Sequence, residues 1–251
     1  MPLPSGIYNV TYKKDMAIFR TWDAKGGWDR NYLQGEYGIH FPNLIPLSTF
    51  IGGLARAIGP LVKYYRATGY APALSLALLL KEKAAAEFFT ESGEYDPERF
   101  GTHTHSTTCT LSGLAQLAEL TNDASLIARV KAFYDRGLWQ IRDALGWVVE
   151  MAHPDANPDL GEVNNTGDVV ETALTLGRWG YPAYYHDAER IVRSHLLPSQ
   201  LRDTSFIRAS PGPVGEDGRN SIAHRHLGAF GFPAPYGHAP LNLSLIHISE
   251  P

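Results

Sequence analysis

Gly161–Leu174 reads GEVNNTGDVVETAL, a polar loop that passes directly into an apolar helix. Five side chains in it, Glu162, Asn164, Asn165, Asp168 and Glu171, suit either one rim of a polar pocket or the cap and solvated face of a helix. Asn165 fits an N-cap with Asp168 at N3, because an amide oxygen accepts a first-turn N–H and a carboxylate is stabilised at the positive end of the helix dipole. The pattern therefore predicts a helix over 168–178 with Glu171 one turn on, in water. Glu162 and Asn164 precede that start, where capping accounts for them less well.

Outward from this stretch the same unit recurs. Trp179-Gly180-Tyr181 is a turn and 182–197 a second helix, so the stretch opens a helical hairpin. Upstream, 106–120 and 124–142 read as two helices around the turn Thr121-Asn122-Asp123. Further upstream, Ser48 or Thr49 caps a helix whose apolar residues, Ile51, Leu54, Ala55, Ile58, Leu61, Val62 and Tyr65, recur at three- and four-residue steps. Gly59-Pro60 should kink it. After Gly69, a partner helix runs from Pro72 to Phe89, almost continuously apolar from Leu74 to Leu80. Turns at Gly69, Asn122 and Gly180 give a period of roughly 50 to 60 residues, the mark of stacked helical hairpins.

The fold class expected is thus all-α, helical hairpins forming part of an (α/α)6 toroid. Three hairpins are half of such a ring, so the chain is expected to be truncated at its C-terminal side. The divisions expected are a loop-rich segment over 1–46, with a short strand near Ile7–Tyr12, and a partial barrel catalytic domain over 47–242. The tail over 243–251, LSLIHISEP, follows no pattern of the preceding chain and resembles the in-frame translation of a sequencing adapter; it is expected to be non-native.

Composition narrows the function classes. A formal charge of −4 with scattered Lys and Arg supplies no field for a polyanion, so no nucleic-acid partner is expected. One cysteine, Cys109, excludes an internal disulfide and a multi-cysteine zinc site. No run approaches a membrane span and the start has no apolar signal region, so no membrane association is expected and the compartment is cytoplasmic by default. There is no GxSxG elbow, phosphate loop or GxGxxG, and no cofactor is expected.

In each repeat the connection into the first helix is long and polar, whereas the turn inside the hairpin is short. Gly35-Glu36-Tyr37-Gly38-Ile39-His40 leads into the first hairpin, Thr102-His103-Thr104-His105 into the second and Glu162-Val163-Asn164-Asn165 into the third. A fourth loop, 218–238, holds His224, Arg225, His226, Tyr236 and His238. Parallel first helices would bring these loops to one rim, and rigid scaffolds commonly carry function there. The two His-x-His pairs invite a metal reading, since alternate residues of an extended segment share a side, but no HExxH spacing accompanies them and no metal is expected. A mouth of His, Glu, Asn, Tyr and Trp suits a polyhydroxylated ligand. Trp22, Trp28, Tyr32 and Tyr37 offer faces for sugar C–H groups, and Arg225 a partner for a uronic carboxylate.

With the hairpins in hand, the sequence resembles the six-hairpin, (α/α)6-barrel glycosidases, most closely the β-L-arabinofuranosidase-type family. Glu162-Val163-Asn164, Thr172-Ala173-Leu174, Ala188-Glu189-Arg190 and Leu196-Leu197-Pro198 carry the likeness, which covers about Ser48 to Leu201. That family has Glu-x-Cys before an inner helix. Here Asn164 stands at the cysteine position, and Ala223–His226 where a Cys-Cys pair is expected, so the zinc-thiolate chemistry does not carry over.

The resemblance implies a glycan-processing enzyme, a glycoside hydrolase on plant or algal polysaccharide fragments, with an oligosaccharide as partner. Glu162, His103 and His224 are the catalytic candidates. Trp28, Glu36, His40, His105, Asn164, Asn165, Arg225, His226 and Tyr236 are the substrate-binding ones. A second carboxylate would come from Asp29, Glu36 or Asp168, at roughly 5 to 5.5 Å from Glu162 for retention or about 6.5 to 9.5 Å for inversion. A uronate lyase or a sugar epimerase using His and Tyr is the close alternative, and a non-catalytic helical-repeat binding protein the distant one.

Overall fold

The computed structural model describes residues 50–154, 161–200, 202–203, 227–228 and 230. The loop-rich start, the fourth polar loop apart from Leu227, Gly228 and Phe230, and the LSLIHISEP tail lie outside them. The chain divides into two units, Met1–Ile141 with Met151–Ala156 and Arg142–Glu150 with Asn157–Pro251. Among the described residues every named element is a helix and pairing of extended chain is confined to isolated bridges, so the all-α expectation holds.

The first unit opens on a wide π turn, Phe50–Leu54, and a tight one, Ala55–Ala57, before the regular helix α1, Ile58–Thr68. Gly59 and Pro60 therefore sit in the first turn of α1, where proline's missing N–H costs nothing, and the irregularity falls before them rather than at them. Ile51, Ala55, Ile58 and Val62 are fully buried, as their spacing predicts, each large aliphatic worth about 1.5–3 kcal/mol. Gly69 adopts the left-handed conformation that ends α1 (φ 70°), and its N–H returns to the Tyr65 carbonyl at 2.8 Å.

Helix α2, Ala71–Lys83, continues through a π turn at Ala84–Phe88. Its buried stripe is Ala73, Ala77, Leu80, Ala84 and Phe88, so the helix is one-sided: Leu76 and Leu79, 45% and 68% exposed, lie off that stripe. Small residues on the inner stripe let the hairpin close tightly.

Helix α3, Thr104–Thr121, is the spine of this unit; 14 of its 18 residues are buried. It runs parallel to α1. Arg56 meets His105 and Cys109 at one end, Gly59 lies against Gly113 in the middle, and Arg66 reaches Gln116 and Glu119 at the other. The middle contact is backbone on backbone. A Cβ on Gly113 would fall 2.7 Å from the Gly59 nitrogen. Asn122 closes α3 in the left-handed region (φ 53°), and Asp123 caps α4, Ala124–Asp135, by accepting the Leu126 N–H at 3.0 Å.

Helix α4 stops seven residues short of the predicted Arg142 (142 − 135). The Gly137 N–H turns out to donate to the Gly93 carbonyl at 2.8 Å, and Phe133 crowds the same point, so the chain leaves the helix there. Phe88, Phe89, Tyr95, Phe100 and Phe133 form an aromatic cluster of edge-to-face and tilted pairs with ring centroids about 5 Å apart. The Tyr95 hydroxyl donates to the Gly101 carbonyl at 3.0 Å and thereby ties the loop entering α3 to this core. Burial pushes the Tyr95 phenol well above its usual range, so it stays a donor at every working pH.

The second unit contains α5, Val163–Arg178, and α6, Ala183–Ile191, the latter extended by a π turn at Val192–Leu196. The hairpin turn contains Gly180 (φ 108°), as predicted. Gly177 lies against the Tyr185 ring, where any Cβ would sit within 2.8 Å of the aromatic carbons. Arg142 and Asp187 form an ion pair at 2.8 Å, with the arginine side chain only 1% exposed. Asp187 also pairs with Arg190, so the costly change is removal of Asp187, which takes the carboxylate away from a buried guanidinium.

The Gly59–Gly113 contact is asymmetric, and the stability consequence follows. Gly113→Ala adds a methyl against backbone, an overpacking cost of about 1–3 kcal/mol. That outweighs the ~1 kcal/mol of helix propensity alanine restores. Gly59→Ala places its Cβ 3.5 Å from the nearest atom, ordinary contact, and should be neutral or stabilising. Urea unfolding midpoints of the two variants check this; equal midpoints would contradict it.

Candidate functional site

Two clusters of buried polar side chains occupy corresponding places, each at the entrance to the first helix of a hairpin. In the first unit the entrance is Gly101-Thr102-His103. Gly101 takes a φ of +79° that favours glycine, and His103 pairs with Met151 in an antiparallel bridge supported by the Ala152 N–H to the Thr102 carbonyl at 2.8 Å. His103 is the N-cap residue of α3, so His105 lies in the first helical turn rather than on an extended strand. The same-side projection expected of His-x-His does not apply. The rings meet edge to face with centroids 6.1 Å apart and reach different partners.

Nδ1 of His103 and the Ser106 hydroxyl share a hydrogen bond of 2.8 Å. Nδ1 of His105 is 3.1 Å from Nη2 of Arg56. A guanidinium only donates, so Nδ1 of His105 accepts and its ring proton sits on Nε2. Arg56 has no counterpart among the sequence-based candidates. Its signal was only a lone cation between apolar residues of the first stripe.

The first three turns of α3 carry Thr104, His105, Ser106, Thr107, Thr108, Thr110 and Ser112, all buried. Several turn their hydroxyls back onto the helix: Thr110 donates to the Ser106 carbonyl at 2.7 Å and Thr108 to that of His105 at 3.3 Å. Thr102 and Thr107, on either side of His103 along the chain, keep buried hydroxyls without a hydrogen-bond partner among the described residues. A helix so polar and so buried is not what packing alone selects.

In the second unit the entrance is Gly161-Glu162. Gly161 bridges Val149, and a Cβ there would fall 2.5 Å from the Val148 carbonyl oxygen, so only glycine brings the chain this close. Glu162, not Asn165, is the N-cap residue, and α5 starts five residues before the predicted Asp168 (168 − 163). At this start the Asn165 N–H donates both to the Glu162 carbonyl and to Oδ1 of Asn164, each at 3.0 Å, while Nδ2 of Asn164 donates to Oε2 of Glu162 at 3.1 Å. Asn165 is fully buried at N3, and Asp168 and Glu171, half-buried, fall beyond the first turn. The capping role predicted for Asn165 and Asp168 is therefore wrong. Glu162 is 5% exposed, a carboxylate at the positive end of a helix and held by an amide.

A third group in this unit escaped the sequence reading. Thr166 in α5 donates its hydroxyl to the Gly146 carbonyl at 3.0 Å and lies 2.9 Å from Nδ1 of His195. The threonine proton being committed, His195 donates from Nδ1, and its Nε2 is buried with no partner among the described residues. Trp147 packs edge-on against the ring at 5.3 Å. Burial pushes the His195 imidazole below its ordinary value of 6.5, against the opposing pull of Asp143 and of the Gly146 carbonyl. No spacing pattern in the sequence singles out His195.

Of the candidates read from sequence, His103, His105, Glu162, Asn164 and Asn165 are buried or half-buried and hydrogen-bonded at hairpin entrances. Trp28, Glu36, His40, His224, Arg225, His226 and Tyr236 lie outside the described residues, as do Trp22, Asp29, Tyr32 and Tyr37. No described helix is long and apolar enough to cross a membrane.

No family model matches the chain, and no curated protein matches it. Among solved structures it is similar to cellobiose 2-epimerase from Bacillus thermoamylovorans B4167, at 17% identity and a TM-score of 0.45 over 62% of this chain and 46% of that one. It is also similar to a D-mannose isomerase, at 13% identity and a TM-score of 0.43 over 60% and 42%. The chain spans less than half the length of either.

The depressed His195 pKa has a fixed sign. Between its folded value and 6.5 the unfolded chain binds the proton first, so its contribution to stability is complete above 6.5 and is lost as pH falls through that window. His195→Gln should flatten the corresponding part of a melting-temperature profile between pH 7.5 and 5. An unchanged slope in the variant would contradict the assignment.

Proposed function

We propose that the protein is a carbohydrate-processing enzyme that works by acid–base catalysis, built on a partial (α/α)6 toroid. The observation that carries this reading is the polar entrance of α3. Two histidines with defined hydrogen-bond partners are set among buried hydroxyls at the start of the most buried helix. A site rich in hydroxyl and amide groups suits a polyhydroxylated ligand, and histidines are the side chains best placed to move protons near neutrality. Glu162 supplies a buried carboxylate at the corresponding place in the next hairpin, and Asn164 and Asn165 offer amides beside it.

Two chemistries fit these groups. Hydrolysis of a glycoside would use Glu162 as acid or base with a second carboxylate. Epimerisation or isomerisation of a reducing sugar would use His103 to take the proton beside the carbonyl, with no second carboxylate required. The paired histidines favour the second chemistry; the buried Glu162 keeps the first.

Incubation with plant and algal oligosaccharides and with reducing sugars in heavy water separates them. Release of new reducing ends indicates hydrolysis, and deuterium at C2 with a changed sugar indicates epimerisation or isomerisation. His103→Ala and Glu162→Gln should each lower turnover on the order of 10²- to 10⁴-fold with ligand binding retained. Unchanged turnover in both variants, or sugar binding without any turnover by the parent protein, would overturn the proposal in favour of a recognition role.

A further inference from the structure

Trp147 lies between two groups that the sequence does not connect. On one side its ring meets the His195 imidazole edge to face, with centroids 5.3 Å apart. On the other it lies against the backbone at Gly161, where a Cβ would fall 2.7 Å from Cζ2 and 2.9 Å from Cε2 of the indole. The next residue is Glu162, so one rigid side chain stands between the backbone that presents the buried carboxylate and a titratable ring. The Val149–Gly161 bridge pins the same backbone just beyond the tryptophan.

The imidazole is held in a way that tolerates one charge state better than the other. Thr166, fully buried, gives its proton to the Gly146 carbonyl at 3.0 Å and accepts Nδ1–H of His195 at 2.9 Å. Neutral, the buried Nε2 carries a lone pair with nothing to bond, a modest cost. Charged, it becomes a donor without an acceptor among the described residues, a far larger one. The ring is half-buried, so a short displacement toward water relieves that cost. Asp143, on the loop that carries Trp147, is the charged group whose field favours the imidazolium, and burial outweighs it. On the same loop Arg142 is committed to Asp187, and on the imidazole's own helical run Arg193 pairs with Glu189 at 2.8 Å. On α5, Asp168 and Glu171 lie well round the helix from Thr166.

We propose that Trp147 is a positioning residue that links Glu162 to the protonation state of His195. With the imidazole neutral, the indole is clamped between it and Gly161, and the peptide that presents Glu162 is fixed. When the imidazole takes a proton and shifts toward water, the indole loses that support and the entrance of α5 loosens. The sign is definite: the entrance is set above pH 6.5 and released as pH falls below it. The effect on turnover rests on the acid–base reading of Glu162 above, whereas the linkage does not.

The test is an NMR titration, from neutral pH downward, of protein labelled at the glutamate carboxyl carbons, the histidine ring nitrogens and the tryptophan indole nitrogen. Glu162→Gln, His195→Gln and Trp147→Phe assign the three signals. In the parent protein the Glu162 carboxyl and the Trp147 indole should both shift with the midpoint of the His195 imidazole. His195→Gln should abolish that step at Glu162. Trp147→Phe, which withdraws the Cε2 and Cζ2 carbons, should weaken it while His195 still titrates. On whichever sugar the parent protein turns over, Trp147→Phe should lower kcat on the order of 10-fold with KM little changed. Leu176→Val, a loss of packing near the far end of α5, should leave kcat as it is.

A parent Glu162 signal with no step at the His195 midpoint would overturn the inference, as would an indole signal that stays still. A step undiminished in Trp147→Phe would do the same, because the two charges would then be coupled through space. If Trp147→Phe does not fold, the parent indole signal and His195→Gln still decide. Linked titration in a protein that turns over no sugar would refute the catalytic reading of Glu162 alone.

Discussion

A backbone-on-backbone approach between helices, Gly59 against Gly113, sets the geometry of the first unit. With no side chain on either residue, α1 and α3 touch through their backbones, and the crossing point becomes a fixed reference. Three residues before it Arg56 meets His105; seven residues after it Arg66 meets Gln116 and Glu119. A larger residue at position 113 would separate the helices and lengthen every one of these contacts. Core packing and the polar cluster thus depend on one steric condition, and the energy that maintains it comes from aliphatic burial at Ile58, Val62, Leu114 and Leu117.

The polar half of α3 is maintained differently. Each buried hydroxyl must find an acceptor or remain a net cost. Thr108 and Thr110 satisfy theirs inside the helix, and Thr121 does the same near its end. Gln116 bridges back to both the carbonyl and the hydroxyl of Ser112. These hydroxyls are thus satisfied from within the helix, while the histidines bond Ser106, for His103, and Arg56, for His105.

Much of the fold was legible because it rests on local rules. The hairpin turns at Gly69, Asn122 and Gly180 are read from residues that tolerate positive φ, and the inner stripe of α1 from its three- and four-residue steps. Errors arose where a contact outside those rules decided the outcome. Helix α4 ends early because Gly137 meets Gly93, 44 residues distant in sequence, and no local signal announces that. Helix α5 begins early, and the Asn164 side chain serves its first turn from within, whereas the N-cap rule looks for that oxygen one residue before the helix. For the same reason the importance of the pre-helix loops could be inferred from their composition, but Arg56 and His195 could not. Their partners lie 49 and 29 residues away, at distances that periodicity does not encode.

Asn164 joins two things that are usually independent. One end of its amide holds the Glu162 carboxylate, and the other accepts the N–H that starts α5. The first turn of α5 and the orientation of the carboxylate thus meet in one side chain, while the Glu162 carbonyl also accepts the Asn165 N–H at 3.0 Å. An aspartate at position 164 would break this linkage doubly, by removing the donor and by facing one carboxylate with another across about 3 Å, where like charges cannot both persist. The side-chain amide thus works as a hinge pin between secondary structure and chemistry.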